Sequence, residues 1–395
     1  MKEHAISRMY LLPTLVSERN LAPMNHTTAK YIMIGGFLGA GKTTAVGKLA
    51  RHLTDQGLRV GLITNDQGRE LVDTHMLRSQ GFATEEIPGG CFCCRFNSLV
   101  DAAHKLTEAS RPDVFIAEPV GSCTDLVATV TYPLRRIYGD QFTITPLSVL
   151  VDPIRARRIL GLEQGGGFSE KVVYIYKKQL EEADIIVVNK SDLLNADQLE
   201  ELEAALRNAF PHATVLSASA RHGNNLEHWF NLVSAGEQVA RAAMVVDYDI
   251  YADGEALLGW LNCTVDLKSG EEFESEDLLK HFSGGIQKRL RGLNAEVAHL
   301  KMTLSPDEIS GGEIAVINLV RNDFVPELSI QLEEPVTGGQ LIVNLRAEAA
   351  PDELTNAVES ALKETAAAFP PLKATIEHSE HFRPGRPTPT HRDGA

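Results

Sequence analysis

Apolar residues occur along the first two-thirds of the chain in short unbroken blocks. Tyr31-Ile32-Met33-Ile34, Val60-Gly61-Leu62-Ile63, Val114-Phe115-Ile116-Ala117, Leu147-Ser148-Val149-Leu150-Val151 and Ile185-Ile186-Val187-Val188 lack the polar alternation of a half-exposed strand. Such blocks predict strands buried on both faces. Helical stretches lie between them, one starting at Ala45 and a longer one over 168–183. With a further strand at Ala213-Thr214-Val215-Leu216, the alternation from residue 30 to about 242 predicts an α/β domain. Its sheet should be mostly parallel, with helices on both faces.

Past Tyr248 the texture changes. Strands are expected at 258–267, 298–304, 314–320 and 328–332, with a helix over 276–291; then 340–345, a helix over 351–369 and 373–376 make a βαβ unit. The chain therefore reads as an α/β domain over 29–242, followed by a smaller α+β C-terminal domain over 246–383. Residues 384–395 continue the proline-rich run from Arg383 and should be extended. His378, His381 and His391 flank that run and are read as solvated, while Cys263 reads as a buried core thiol. Residues 1–28 hold an apolar block at 9–16, but Glu3 precedes it, Glu18 and Arg19 follow, and no small-residue cleavage site appears. A disordered leader, or a true start at Met24, is the expectation.

Chemistry is predicted where the blocks end. After the first, Gly36-Phe37-Leu38-Gly39-Ala40-Gly41-Lys42-Thr43-Thr44 fits the phosphate-loop pattern G-x-x-x-x-G-K-[ST] without substitution. Glycines let successive N–H groups turn onto a pyrophosphate, and the following helix adds its positive end. Lys42 would reach the β- and γ-phosphates, and the Thr43 hydroxyl would ligate Mg²⁺. The block at residues 60–64 ends at Asn65-Asp66, and the block at 114–117 ends at Glu118-Pro119-Val120-Gly121. Asp66 and Glu118 are candidate Mg²⁺-side or water-orienting acids, and the Gly121 N–H is a candidate for the γ-phosphate. The fifth block runs into Asn189-Lys190-Ser191-Asp192, the guanine-reading N-K-x-D signal. The Asp192 carboxylate can accept the N1–H and N2–H₂ pair that adenine lacks. A backbone N–H at Ser219 or Ala220 is expected to meet guanine O6. Together these motifs predict a GTP site, and no arginine finger is visible.

Charge and cysteines narrow the picture. The formal charge of −15 argues against a nucleic-acid partner, and no apolar run has membrane length. Three of the five cysteines are crowded into Cys91-Phe92-Cys93-Cys94, which is no disulfide framework and points to a reducing cytoplasm. Three thiols so close can converge on a soft cation such as Zn²⁺, Cu(I) or Co²⁺. A small buried turn and a redox thiol pair are the alternatives. Cys123, two residues past Gly121, is a possible fourth ligand that would respond to nucleotide state.

The combination G-G-F-L-G-A-G-K-T-T, G-C-F-C-C, E-P-V-G and N-K-S-D resembles the CobW-type GTPases, metallochaperone-like relatives of the nickel-insertion GTPases for urease and hydrogenase. The likeness is firm to about residue 242 and looser beyond. It implies a P-loop GTPase of the SIMIBI class using GTP and Mg²⁺, with zinc or cobalt on Cys91, Cys93 and Cys94. It also implies a client metalloprotein or corrinoid protein, and a nucleotide-dependent homodimer is a possible assembly. Asp66 departs from the family's usual Glu. The expected function is GTP hydrolysis coupled to metal delivery. The alternative is a GTP-dependent switch or chaperone for a cobalamin-dependent enzyme, in which the metal is structural.

Overall fold

The computed structural model describes residues 28–65, 77, 78, 80–307 and 313–394. Among these, eight strands form one parallel sheet: β1 (Ala29–Gly36), β2 (Val60–Asn65), β3 (Ala83–Ile87), β4 (Val114–Glu118), β5 (Phe142–Ile144), β6 (Ser148–Val151), β7 (Ile185–Val188) and β8 (Thr214–Ser217). The order is β3-β2-β4-β1-β6-β7-β8, with β5 pairing the start of β1 and β6 its end. The expected two-sided burial is explicit in β1. Tyr31 and Met33 enter one core, and Ile32 and Ile34 enter the other. Phe115 and Ala117 of β4, and Ile186 and Val188 of β7, join the first, while their neighbours Val114, Ile116, Ile185 and Val187 join the second. A polar residue at any of these positions would be stranded in one core or the other.

Helices α1 (Lys42–Asp55), α2 (Phe96–Ser110), α3 (Tyr132–Tyr138), α4 (Pro153–Ile159), α5 (Glu170–Glu182), α6 (Ala196–Ala209), α7 (Leu226–Ala235) and α8 (Tyr248–Leu257) accompany this sheet. Helix α8 lies beyond the division drawn from the sequence at 242–246, yet it packs on α5. Lys171 and Asp253 pair at 2.6 Å, Tyr251 sits in the first core, and Gly254 lies so close to the Lys171 carbonyl that a Cβ would meet it at 2.5 Å.

The remaining strands form a six-stranded antiparallel sheet: β9 (Gly259–Phe273), β10 (Val297–Pro306), β11 (Ala315–Leu319), β12 (Glu327–Ile330), β13 (Val336–Ala347) and β14 (Lys373–Phe382), ordered β12-β11-β10-β13-β9-β14. Both β13 and β14 run antiparallel to β9, so they are parallel to each other across it, joined by α10 (Pro351–Ala368). Here the period is two. Leu261, Cys263, Val265 and Leu267 face a core shared with α9 (Ser275–Gly292) and α10, and Leu341, Val343 and Leu345 do the same. Cys263 is accordingly a core thiol, and burial pushes it up to about 12. The intervening positions Trp260 of β9 and Asn344 and Arg346 of β13, with His299 and Lys301 of β10 and Asn318 of β11, line a cavity at the parallel sheet's carboxyl end.

The two layers are joined by buried arginines. Arg155 donates to the Leu38 carbonyl at 2.7 Å and to the Val297 carbonyl at 3.1 Å, and also bonds the Val320 carbonyl. Its guanidinium lies over Phe168, 4.9 Å from the ring centre. Arg321 reaches back to Asp152 at 2.8 Å.

Candidate nucleotide and metal site

The sheet reverses its strand order beside β1, and open parallel sheets bind ligands in the crevice so made. Gly36, Asn65, Glu118 and the residues that follow β6, β7 and β8 all sit at that end. A cavity of about 380 Å³ opens there. Gly39, Gly41, Lys42, Thr43 and Thr44 line it, as do Glu118, Gly121, Asn189, Lys190, Asp192 and Ala220. In a chain of charge −15, its walls also gather Lys48, Arg221, Lys301 and Arg346, which suits a polyanion.

The loop is shaped by backbone needs. Gly41 caps α1 at φ 90°, and a Cβ there would lie 2.4 Å from Asn189 Nδ2. Asn189 clamps the loop by donating to the Ala40 carbonyl at 2.8 Å and accepting from the Ala220 N–H at 2.9 Å. Lys190 adds bonds to the Gly39 carbonyl at 2.7 Å and to Asp152 at 2.9 Å. The N-K-S-D segment thus holds the phosphate loop while presenting Asp192 to the cavity. Ser219 and Ala220 stand at the expected place, but both N–H groups have partners, the Asn224 carbonyl and Asn189. An O6 contact here has to displace one of these bonds or use the next N–H, that of Arg221. Gly36 does not line the cavity. A Cβ there would strike the Leu150 carbonyl at 2.3 Å, so its glycine serves strand packing.

On the Mg²⁺ side, the Thr43 hydroxyl donates to Glu118 Oε1 at 3.0 Å, and both residues are buried. Two hard oxygens so placed fit Mg²⁺. Asp66 lies outside the described residues. Gly121 packs directly on the phosphate loop, where a Cβ would sit 2.9 Å from the Leu38 nitrogen.

The cysteine loop is tied to Asn65, which lines the same cavity. The Asn65 amide donates to the Ile87 carbonyl at 2.8 Å and the Gly90 carbonyl at 2.6 Å, fixing the entry to Cys91. The Sγ atoms of Cys91, Cys93 and Cys94 are 2.7, 3.1 and 3.7 Å apart, and all lie within 4.8 Å of one another. Tetrahedral Zn–S bonds set sulfurs ~3.8 Å apart. The Cys93–Cys94 edge therefore already fits, and Cys91 needs a shift of about an ångström. Cys123 is a neighbour of Cys91 but lies outside the mutually close trio. Side-chain hydrogen bonding with Cys123, Cys93 and Cys94 holds the Cys91 thiol well below its ordinary range, against burial. The bond to Cys91 pushes Cys94 up to about 11 and raises Cys93, and burial followed by the same bond raises Cys123. Thiols packed this closely release protons when a cation enters.

The segment between the sites is held from below. Gln179 donates to the carbonyls of Gly121 and Cys123 at 2.9 and 2.8 Å, Ser122 to Glu255 at 2.7 Å, and Thr124 to Glu182 at 3.2 Å. These supports, with Asp152, Arg155, Arg321, Lys301 and Arg346, were not legible as site residues. Only Asp152 carried a signal, an acid at the carboxyl end of an apolar block.

Residues 30–217 match the family model for the CobW/HypB/UreG nucleotide-binding domain. The matched span runs from β1 to β8, so the parallel-sheet part of the chain is similar to that domain. Among curated CobW-like proteins, the chain is 30% identical over 174 residues to the zinc chaperone YeiR of Escherichia coli K12, covering 43% of this chain and 49% of that one. It is 33% identical over 190 residues to the zinc chaperone CobW of a Sinorhizobium species, covering 42% and 52%. The chain thus spans about half the length of the curated relatives it matches. Among solved structures, Zn(II)-bound YjiA GTPase from E. coli aligns with 85% of this chain and 99% of its own, at 14% identity and a TM-score of 0.34. HypB from Helicobacter pylori in complex with nickel aligns with 54% and 91%, at 16% and 0.40. No helix among the described residues is long and apolar enough to cross a membrane.

Proposed function

We propose that this protein hydrolyses GTP and uses its nucleotide state to hold a transition-metal ion, zinc first, and hand it to a client metalloprotein. The observation that carries the reading is the short physical path between two sites. Asn65 lines the nucleotide cavity and pins Gly90 beside the thiols, while Gly121 touches the phosphate loop two residues before Cys123. The names of the curated relatives favour zinc over cobalt.

In this reading the loop N–H groups and the α1 terminus take the phosphates, Lys42 balances the charge that develops on the γ-phosphoryl group, and Asp192 selects guanine. Thr43 and Glu118 would hold Mg²⁺, which when bound supplies further neutralisation of the phosphate oxygens. Glu118 and Asp66 are the acids available to orient the attacking water. A reducing cytoplasm keeps Cys91, Cys93 and Cys94 open to cargo.

The test pairs two measurements on the full chain. GTP should be hydrolysed, with turnover falling by orders of magnitude in Lys42→Ala. One Zn²⁺ per chain should bind and be lost when Cys91, Cys93 and Cys94 are changed to Ser together. Zinc retained by that triple variant would move the cargo site elsewhere, and unchanged turnover in Lys42→Ala would remove the phosphate loop from catalysis.

A further inference from the structure

The segment that follows β14 does not run into solvent. It lies along the cysteine loop. The Thr388 N–H donates to Cys94 Sγ at 3.3 Å, the Thr390 N–H to the Cys93 carbonyl at 2.9 Å, and the Thr390 hydroxyl to the Cys94 carbonyl at 3.2 Å. His391 meets the Phe96 ring edge-on at 4.9 Å. Beyond it, Arg392 donates to both Asp125 carboxylate oxygens, at 2.8 and 3.4 Å, and to the Met244 carbonyl at 2.8 Å. The Asp393 N–H ends the run on the Ala128 carbonyl at 2.8 Å, with its carboxylate on Arg136 at 2.7 Å.

Two features make this more than a passive tail. Asp125 is 1% exposed and sits at φ 64° in the segment that leads from Gly121 through Cys123. Its partners are the Tyr248 hydroxyl at 2.6 Å and Arg392, so the cation that balances this buried carboxylate arrives on the tail. The anchor therefore rides on the stretch most exposed to a change at the γ-phosphate. Cys94, the one member of the trio that is not fully buried, is also the one whose sulfur the tail covers. A client that brings a ligand to Cys94 competes with that bond.

We propose that residues 386–393 are a displaceable strap over the thiol site, and that the surface beneath them receives an extended client segment. The occupant is defined by what the strap supplies: backbone N–H groups for Cys94 Sγ and the Cys93 carbonyl, and an arginine for Asp125. This is recognition by extended backbone with one charged side-chain anchor. It rests on the metal-carrier reading for its purpose, though the covering of Cys94 does not.

The experiment uses the full chain as wild type, Arg392→Ala and Thr390→Pro. Thr390→Pro removes two tail bonds but leaves Asp125 paired, so it decides the matter if Arg392→Ala disturbs the 121–125 segment. Two rates are read: reaction of the metal-free thiols with a disulfide reagent, and loss of Zn²⁺ from loaded protein to a chelating dye. Both should rise roughly tenfold or more in each variant, the scale of one lost charge-assisted bond or two neutral ones. A synthetic peptide of residues 384–394 added in trans should slow them again. Wild-type thiol reactivity in Thr390→Pro, with no effect of the peptide, would overturn the strap whatever zinc does. Failure of every form to bind zinc would instead refute the carrier reading, and the thiol rates would still decide the strap.

Discussion

Asp152 and Arg321 lie in different layers of the protein, and their charged groups meet at 2.8 Å with both side chains almost fully buried. The same carboxylate takes Lys190 at 2.9 Å, so one acid ties the N-K-S-D segment to the antiparallel sheet. Removing it leaves Lys190 without its carboxylate and the buried Arg321 with Asp323 alone, at 3.2 Å. Asp152→Ala should therefore destabilise the chain by roughly 3–5 kcal/mol and weaken GTP binding as Lys190 loses its position. Denaturant unfolding with and without nucleotide reads both effects. A loss under about 1 kcal/mol, the range of surface pairs, would show that the layers are held elsewhere.

Two buried acids pull the pH dependence in opposite directions. Burial raises Asp152, but Lys190, Arg321 and Arg155 outweigh it and hold the carboxyl below the usual range. Its contribution is present above the unfolded value of 3.8 and is lost as pH falls through the lower folded value. Glu182 is pushed up to about 8 by burial, so it prefers its proton in the folded state. The stability this supplies is complete below the unfolded value of 4.5 and is lost as pH rises through about 8. Urea midpoints from pH 5 to 9 should fall more steeply in wild type than in Glu182→Gln. Parallel curves would mean Glu182 is ionised throughout.

The sequence carried the strands of the parallel sheet because two-sided burial leaves unbroken apolar blocks, and it carried the phosphate loop because Gly41 and Lys42 are required by local geometry. What it hid was relational. His299, Lys301, Asn344 and Arg346 alternate with core residues, and alternation says only that one face is polar, not that it walls a cavity. The tail was hidden for a similar reason: prolines predict an extended backbone but not the surface it lies on. Asn65, Gln179 and Arg155 act through hydrogen bonds to backbone carbonyls far away in sequence, and such acceptors leave no trace in composition.

Guanine selection should reside in Asp192. The wild type should prefer GTP over ATP by a factor on the order of 10⁴, because adenine would leave the carboxylate unpaired. Asp192→Asn should lose GTP and gain xanthosine triphosphate, whose 2-oxo group the amide can donate to. Fluorescent-nucleotide competition measures both. Equal wild-type affinity for ATP and GTP would contradict the assignment.

Gly121→Ala places a methyl group 2.9 Å from the Leu38 nitrogen, so either the switch segment or the phosphate loop must yield. Turnover should drop on the order of a hundredfold, the cost of about an ångström of misplacement, while the fold persists. Single-turnover hydrolysis and circular dichroism separate these. Unaltered hydrolysis would show that the segment moves away from the loop before chemistry.

The central claim is that the nucleotide and the thiols are coupled. It is tested most directly by titrating Zn²⁺ into full-length protein saturated with GDP or with a non-hydrolysable GTP analogue. Coupling between sites typically spans roughly 5- to 150-fold. Zinc should bind more tightly by a factor in that range with the analogue, and zinc should raise the analogue's affinity over GDP's by the same factor. Equal zinc affinity in the two nucleotide states would contradict the account.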